Sequence, residues 1–339
     1  MNVVLLIASK IGLSLLPVFL FLSALIFLDS YKLVTLRAIL TTIAIGCTIA
    51  VCAYLANNEL FKRIGLSELT YRRYASPLVE ELLKAIYVTL LLRLRKIGFM
   101  VDAALQGFAI GAGFALVENV YYLLSLEEAN LFVWIVRGFG TAVMHGGTTA
   151  IFGVIAKYLM DIQERPSILT PLAGLGAAAF VHSAFNHFLL PPAASTALMV
   201  ITMPVLLMGV FTQSEKGTRE WLGVGFDNDA ELLTMITTGN IQQTRIGTYL
   251  DSLEQRFQGE IIADLLCYLR IYLELAIQAK GLLMMRESGF NVEPDPEVSS
   301  KFAELKYLEK NVGKTAMLAL APFLRTSSRD LWQLHMLQS

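Results

Sequence analysis

Long apolar runs dominate the first two thirds of the chain. An α-helix needs roughly 20 apolar residues to cross a bilayer, and seven runs approach that length. They lie at about residues 3–28, 33–56, 76–95, 101–125, 131–159, 168–190 and 194–212. We therefore predict an all-α protein whose first 212 residues form a polytopic membrane helical bundle with about seven transmembrane helices.

From residue 213 the pattern changes to segments in which apolar residues recur at amphipathic helical spacing. Residues 213–339 are accordingly predicted to form a soluble helical C-terminal domain. Its predicted helices are Leu232–Ile236, Ile241–Phe257, Ile261–Met285 and Lys301–Leu324. The same apolar spacing would also suit self-association of the chain, and the sequence does not separate the two uses.

Composition and charge support this division. Apolar residues make up 55% and charged residues 16% of the chain, which is outside the usual range of soluble proteins. The first 212 residues hold 25 charged side chains and the remaining 127 hold 30. The net charge of −1 and the lack of a basic stripe exclude nucleic acid as an expected partner. The three cysteines show neither CxxC nor CxxH spacing, so we expect no disulfide framework and no thiolate zinc site.

The loops suggest an orientation. Basic residues predominate in the loops after the first, third and fifth runs, which favours a cytoplasmic C-terminal domain. A basic cluster within 62–73, on the opposite side, argues the other way. The connection over 57–75 alternates charged and apolar residues, so it is predicted to be either an interfacial helix or an ordinary loop.

Charged side chains interrupt the third run near its start. Glu80 and Lys84 are four residues apart and are expected to pair, whereas Glu81 is turned by about 100° toward another face. Such groups are costly in a membrane and need partners or a function. The alternative is that the paired glutamates lie at the membrane interface and are solvated.

Polar residues also interrupt the next three runs. They are Glu118 and Asn119 in the fourth, Arg137 and His145 in the fifth, and His182 and Asn186 in the sixth. Antiparallel crossing places most of them in the same half of the bilayer as Glu80 and Glu81. His145 comes out deepest, roughly 20 Å from the start of its run. Gly107 and Gly111 are spaced for close helix contact.

Carboxylates, imidazoles and an amide can together activate a water and stabilise an oxyanion. The same residue types could bind a divalent metal through Glu118, His145 and His182, although the sequence contains no HExxH and no spacing that requires a metal. A third possibility is a non-catalytic scaffold or transporter in which buried ion pairs only fix helix packing.

Four motifs in order carry a resemblance. Glu80-Glu81-x-x-Lys84, GFALVEN at 113–119, Arg137 with His145-Gly-Gly-Thr-Thr, and His182-x-x-x-Asn186 together resemble the PrsW family of glutamic intramembrane proteases, which is related to the CAAX-processing membrane proteases. The resemblance covers about residues 76–190. It implies hydrolysis of a single-pass membrane protein, which for a bacterial member would be an anti-sigma factor, and location in the bacterial cytoplasmic membrane.

The resemblance also implies roles for individual residues. Water is expected to be activated by Glu80 or Glu81 together with a histidine, without a metal or other cofactor. The expected catalytic residues are Glu80, Glu81, Glu118, His145, His182 and Asn186, and the expected supporting residues are Lys84, Asn119 and Arg137. The expected partners are the lipid bilayer and the membrane protein substrate.

Overall fold

All regular elements in the described part of the chain are helical. The structure is a computed structural model and describes residues 3–126, 130–163, 167–290, 292, 295–320, 324 and 328–338. Its helices of nine or more residues are α1 Val3–Leu28, α2 Leu36–Ile64, α3 Ser76–Arg93, α4 Met100–Ser125, α5 Ala142–Ile162, α6 Leu172–Asn186, α7 Pro192–Thr237, α8 Arg245–Leu253, α9 Gly259–Glu287, α10 Val298–Leu320 and α11 Ser328–Gln338. The predicted all-α class is confirmed.

Five helical stretches are long and apolar enough to cross a membrane: α1, α2, α4, the continuous stretch Leu131–Ile162 that ends in α5, and α7. Within the described residues, length and composition thus support five of the about seven transmembrane helices expected from the sequence. Helix α3 has 18 residues and carries four charged side chains, and α6 has only 15 residues. At 1.5 Å per residue α6 is roughly 22 Å long, shorter than the hydrocarbon core.

The connection over 57–75 is mostly helical but is not one separate helix. Helix α2 continues to Ile64 and ends at Gly65, whose left-handed backbone (φ 69°) reverses the chain. One turn, Glu68–Thr70, and a π-helical segment, Tyr71–Ala75, then lead directly into α3. This connection is therefore built from the ends of two helices, and it brings α2 beside α3.

Helix α4 is the central helix of the membrane bundle and is buried along most of its length. It packs against α5 through two glycines: a Cβ on Gly107 would lie 2.5 Å from the Thr149 carbonyl oxygen, and one on Gly111 would lie 2.1 Å from that of His145. The predicted close contact at these glycines is confirmed. On the other side, Gly46 and Gly113 allow an equally close approach of α2.

The chain divides into two compact units, residues 1–215 and 216–339. In the second unit α9 packs against α10 and α11. The buried ammonium of Lys280, in α9, pairs with the carboxylate of Asp229. The segment predicted as Leu232–Ile236 belongs to the end of α7, and Ile241–Phe257 contains a 3₁₀ turn followed by α8. The predicted helix Lys301–Leu324 corresponds to α10, and its continuation through 321–323 lies outside the described residues.

Candidate functional site

Helix α3 directs Glu81 and Lys84 into the bundle, where both side chains are almost fully buried. Lys84 Nζ lies 2.5 Å from Glu81 Oε1. The predicted pair of Glu80 with Lys84 is therefore wrong: residues three apart are also neighbours on a helix. Lys84 pairs with Glu81 because its side chain is directed into the bundle. There Lys84 Nζ also lies 3.2 Å from His145 Nδ1 and 4.7 Å from the centre of the Phe114 ring.

Glu80 lies at the edge of the same cluster, with 14% of its side chain exposed. Its Oε1 accepts hydrogen bonds from Ser76 Oγ at 2.6 Å and from Asn57 Nδ2 at 3.3 Å. Asn57 is held in turn by the hydroxyl of Tyr71, which donates to Asn57 Oδ1 at 3.0 Å. Glu80 is thus bound by neutral groups, whereas Glu81 is bound by an ammonium.

His182 contacts both glutamates of α3. Its Nδ1 lies 2.8 Å from Glu81 Oε1, and its Nε2 lies 3.8 Å from Glu80 Oε2. A carboxylate can only accept, so a neutral His182 carries its hydrogen on Nδ1 and presents a lone pair at Nε2. The 3.8 Å separation is too long for a direct hydrogen bond and short enough for one water to contact both atoms.

A second carboxylate–imidazole pair comes from α4 and α5. His145 Nε2 lies 2.9 Å from Glu118 Oε2, and Arg137 forms an ion pair with the same oxygen at 3.4 Å. The Arg137 Nε also donates to Asn119 Oδ1 at 3.0 Å, and Asn119 donates to the Ser14 carbonyl of α1. The rings of His145 and His182 meet edge to face, with centroids 4.8 Å apart.

These contacts correct the expected depth of His145. The sequence placed His145 below the other polar groups, yet its ring touches Lys84, Glu118 and His182 directly. That expectation assumed a regular α-helix from the start of the run, whereas residues Val136–Thr141 form a π-helical segment before α5. Four of the six expected catalytic side chains, Glu81, Glu118, His145 and His182, are therefore linked by direct contacts.

Three further residues of the cluster were not identified in the sequence. Thr148 is fully buried and its Oγ1 donates to Glu81 Oε1 at 3.1 Å, so this one oxygen receives Lys84, His182 and Thr148. Asn57 and Ser76 contact Glu80. Neutral polar residues cost little in a membrane helix, so their presence in an apolar run gives a weak signal. The spacing of Ser76 and Glu80, four apart on one helix, was the one available indication.

The contact that the structure shows for Asn186 is with the segment before α3 and not with a carboxylate. Its Nδ2 donates to the Arg72 carbonyl oxygen at 3.1 Å, and Ser183 Oγ donates to that of Arg73 at 2.6 Å. Both acceptors belong to the π-helical segment that precedes α3. The end of α6 is thereby attached to the start of α3, which places His182 against Glu80 and Glu81.

Among the described residues one group has the composition of a metal site. Donor atoms of Glu80, His145 and His182 all lie within 4.8 Å of one another, so Glu80 takes the place expected for Glu118. However, both nitrogens of His145 are engaged, Nε2 with Glu118 and Nδ1 with the Lys84 ammonium. Two free ligand atoms remain, whereas catalytic zinc sites use three protein ligands. This donor set therefore does not fit a three-ligand metal centre.

The comparison with protein families agrees with the geometry. A family model described as "PrsW family intramembrane metalloprotease" matches residues 34–210. The chain belongs to the PrsW family. No curated protein and no solved structure matches the chain. The predicted family is confirmed, and all the residues of the Glu/His cluster lie within the matched range.

Membership has two direct consequences. This PrsW family member is an intramembrane protease, and its apolar helices make it a multi-pass integral membrane protein. The family's description as a metalloprotease differs from the glutamic type that the motifs suggested.

Proposed function

We propose that the chain cleaves a peptide bond in or near the membrane segment of a single-pass membrane protein, using a water that Glu80 deprotonates. The observation that carries this proposal is the 3.8 Å gap between Glu80 Oε2 and His182 Nε2 at the edge of a buried cluster of three carboxylates and two imidazoles. Water is the nucleophile in this reaction, and a carboxylate beside an imidazole lone pair is suited to bind and activate it.

The distribution of charge distinguishes the three carboxylates. Glu81 is paired with Lys84, and Glu118 is paired with Arg137. Glu80 receives only neutral donors, from Ser76 and Asn57. Glu80 is therefore the carboxylate that is available to take a proton, while Glu81 orients His182 and Glu118 orients His145. In this proposal Glu80 is the member of the adjacent pair that contacts the water.

The reaction then proceeds in two steps. Glu80 takes one proton from the water while His182 Nε2 accepts a hydrogen bond from the other, and the oxygen attacks the scissile carbonyl carbon. The tetrahedral intermediate collapses when the C–N bond breaks, and the proton held by Glu80 passes to the leaving nitrogen. Water has then added across the peptide bond, and Glu80 is a carboxylate again.

The other polar side chains of the site support Glu80 and His182. Asn186 lies four residues after His182 on α6, and its Nδ2 has a second hydrogen besides the one donated to Arg72. We assign this hydrogen to the developing oxyanion. Arg137 pairs with Glu118, and Glu118 contacts His145. The His145 ring packs edge to face on the His182 ring and holds the His182 ring in place.

The substrate and the orientation complete the proposal. The cluster lies among the apolar helices of the membrane bundle. A peptide bond that reaches it would be in or near a membrane segment, which favours a single-pass membrane protein as the substrate. An anti-sigma factor in the cytoplasmic membrane of a bacterium is the proposed substrate class, and the basic loops favour a cytoplasmic C-terminal unit. The domain boundary proposed from sequence, near residue 212, assigns catalysis to the first part of the chain.

The test is cleavage of a single-pass substrate by the purified protein in lipid nanodiscs. Glu80→Gln is expected to abolish cleavage while the protein stays folded, and His182→Ala is expected to do the same. Glu59→Gln is the matched control, because Glu59 is exposed on α2 and pairs with the exposed Lys62 and Arg63. Full activity in Glu80→Gln would contradict the proposal. Unfolding of every cluster variant would instead favour a scaffold whose ion pairs only fix helix packing.

A metal-dependent hydrolase is the second candidate, favoured by the Glu80, His145 and His182 group and by the description of the family as metalloproteases. The metal would be held by these three side chains and would polarise the scissile carbonyl or a water. This arrangement requires His145 to leave Lys84 or Glu118. Metal content of the purified protein, measured together with activity after chelation, separates the candidates: chelator-insensitive cleavage by metal-free protein excludes this one.

A further inference from the structure

A polar network that surrounds one oxygen of Glu80 lies outside the six expected catalytic residues. Ser76 Oγ and Asn57 Nδ2 both donate to Glu80 Oε1, and Asn57 Nδ2 also lies 3.1 Å from Ser76 Oγ. The Tyr71 hydroxyl donates to Asn57 Oδ1. We call Asn57, Tyr71 and Ser76 the Glu80 clamp.

The clamp combines three different parts of the chain. Asn57 lies near the end of α2, Tyr71 opens the π-helical segment, and Ser76 is the first residue of α3. The Tyr71 ring is buried and meets Phe61 of α2 edge to face, with centroids 5.2 Å apart. The clamp therefore does not come from one helix alone, which separates it from an ordinary contact between side chains four residues apart.

The clamp engages only one of the two carboxylate oxygens. With Oε1 bound by two donors, rotation of the Glu80 carboxylate is restricted, and Oε2 is left facing His182 Nε2. Both donors are neutral, so they hold the carboxylate without the full charge pairing that binds Glu81 to Lys84. A base must be held in position and still be free to accept a proton, and this arrangement meets both requirements.

We infer that Asn57, Tyr71 and Ser76 are positioning residues that aim Glu80 Oε2 at the water site shared with His182. This inference rests on the proposed function of Glu80. It assigns to the end of α2 and to the π-helical segment a part in catalysis, beyond their part in joining helices.

The effect is expected in turnover rather than in substrate binding, since none of the three residues needs to touch the substrate. Loss of one hydrogen bond to a charged group corresponds to about a 10- to 100-fold lower kcat. Asn57→Ala and Ser76→Ala should each fall in this range with KM unchanged. Tyr71→Phe, which loosens Asn57 without removing it, should lower kcat by less than Asn57→Ala.

The experiment measures kcat, KM and the thermal unfolding midpoint of the full-length protein in nanodiscs. Asn58→Ala is the matched control, because Asn58 is the adjacent amide on α2 and is exposed. Ser76→Thr keeps the hydroxyl and should restore most of the activity lost in Ser76→Ala. A purely structural role predicts instead that the unfolding midpoint falls and that kcat per folded molecule stays constant.

The outcomes are distinguishable. If the wild-type protein cleaves the substrate and the Asn57, Tyr71 and Ser76 variants cleave it with unchanged kcat, the clamp has no positioning role and the proposed function is untouched. If Glu80→Gln also cleaves normally, the proposed function fails and the clamp fails with it. A lowered kcat in Asn57→Ala and Ser76→Ala, with normal Asn58→Ala and Ser76→Thr, supports the inference.

Discussion

Glu81 Oε1 lies 2.8 Å from His182 Nδ1, and this contact gives two adjacent glutamates different surroundings. Glu81 is buried and orients the imidazole, and its neighbour along the chain faces the free side of that ring. Adjacent residues on a helix point about 100° apart, so two carboxylates in sequence can serve one imidazole from different directions.

We predict different consequences for the two glutamine substitutions. Glu80→Gln should abolish cleavage with little change in stability, because the hydrogen-bond donors to Glu80 among the described residues are neutral. Glu81→Gln should abolish cleavage and also destabilise the protein by about 3–5 kcal/mol, because it leaves the buried Lys84 ammonium without its counter-charge. Thermal unfolding in nanodiscs measures the difference.

The double variant Glu81→Gln, Lys84→Met provides the control for that prediction. Removing both charges should recover stability relative to Glu81→Gln alone, since an uncompensated buried charge costs more than the loss of the pair. Equal stability of Glu80→Gln and Glu81→Gln would contradict the assignment of Glu81 as the paired carboxylate.

Thr148 is predicted to support the site through Glu81. Thr148→Val keeps the shape of the side chain and removes the donor to Glu81 Oε1, at an expected cost of about 1.5–3 kcal/mol for a hydrogen bond to a charged group. Thr149→Val is the matched control: Thr149 is equally buried, and its hydroxyl donates to the His145 carbonyl oxygen. Unfolding midpoints that fall equally in both variants would argue against a specific role for Thr148.

The close approach of α4 and α5 is predicted to be essential for the site. Gly111→Ala would place a Cβ 2.1 Å from the His145 carbonyl oxygen, and this backbone atom cannot move aside alone. We expect a loss of about 1–3 kcal/mol in stability together with reduced cleavage, because the helices that carry Glu118 and His145 must separate.

Gly176→Ala serves as the comparison for the glycine prediction. Gly176 lies in α6, and a Cβ added to it would meet no atom within 4 Å. Alanine also favours a helix over glycine by up to about 1 kcal/mol. This variant should be as stable as the wild type or more stable. If Gly111→Ala behaves in the same way, the packing of α4 on α5 is not as close as described.

A pH-dependent contact is predicted in the second unit. Burial works against ionisation of Glu274, but hydrogen bonds from Lys301 and Arg270 hold the pKa of this carboxyl below its usual range. A lowered pKa in the folded state means that the contact stabilises above the unfolded value of about 4.3 and that this stabilisation is lost as the pH falls below it. Glu274→Gln should therefore lower the unfolding midpoint at pH 7 and have a smaller effect near pH 4. A difference that is the same at both pH values would contradict this linkage.

Much of the site was predictable because charged groups are costly in a membrane helix. Glu80, Glu81, Glu118 and the two histidines stand out for this reason. Their crossing directions place all of them together except His145, which the sequence placed too deep. The choice of Glu81 rather than Glu80 as the partner of Lys84 was not predictable, since positions three and four residues apart are both neighbours on a helix. The neighbouring helices decide it, through His145 and Phe114.

Neutral groups and helix lengths were harder to predict. The contacts that bring neutral side chains into the site depend on how the helices pack. The pattern within one apolar run therefore does not identify Asn57, Ser76 and Thr148 as site residues. The joining of α2 to α3 depends on local backbone geometry, at Gly65 and in the π-helical segment Tyr71–Ala75. Apolar content alone predicts which segments are helical more reliably than where each helix ends.

The π-helical segment before α3 also has an evolutionary consequence. A π turn is an α turn that accommodates an additional residue, and such turns are frequent at functional sites. Deleting one residue within Tyr71–Ala75 would turn all of α3 by about 100° relative to the preceding turn, which is the angle between Glu80 and Glu81. A deletion here would therefore turn Glu81 to the direction in which Glu80 now points and turn Glu80 away from the site, and an insertion would turn Glu80 to the direction of Glu81. We expect changes in the length of this segment to be tolerated less well than substitutions of its side chains.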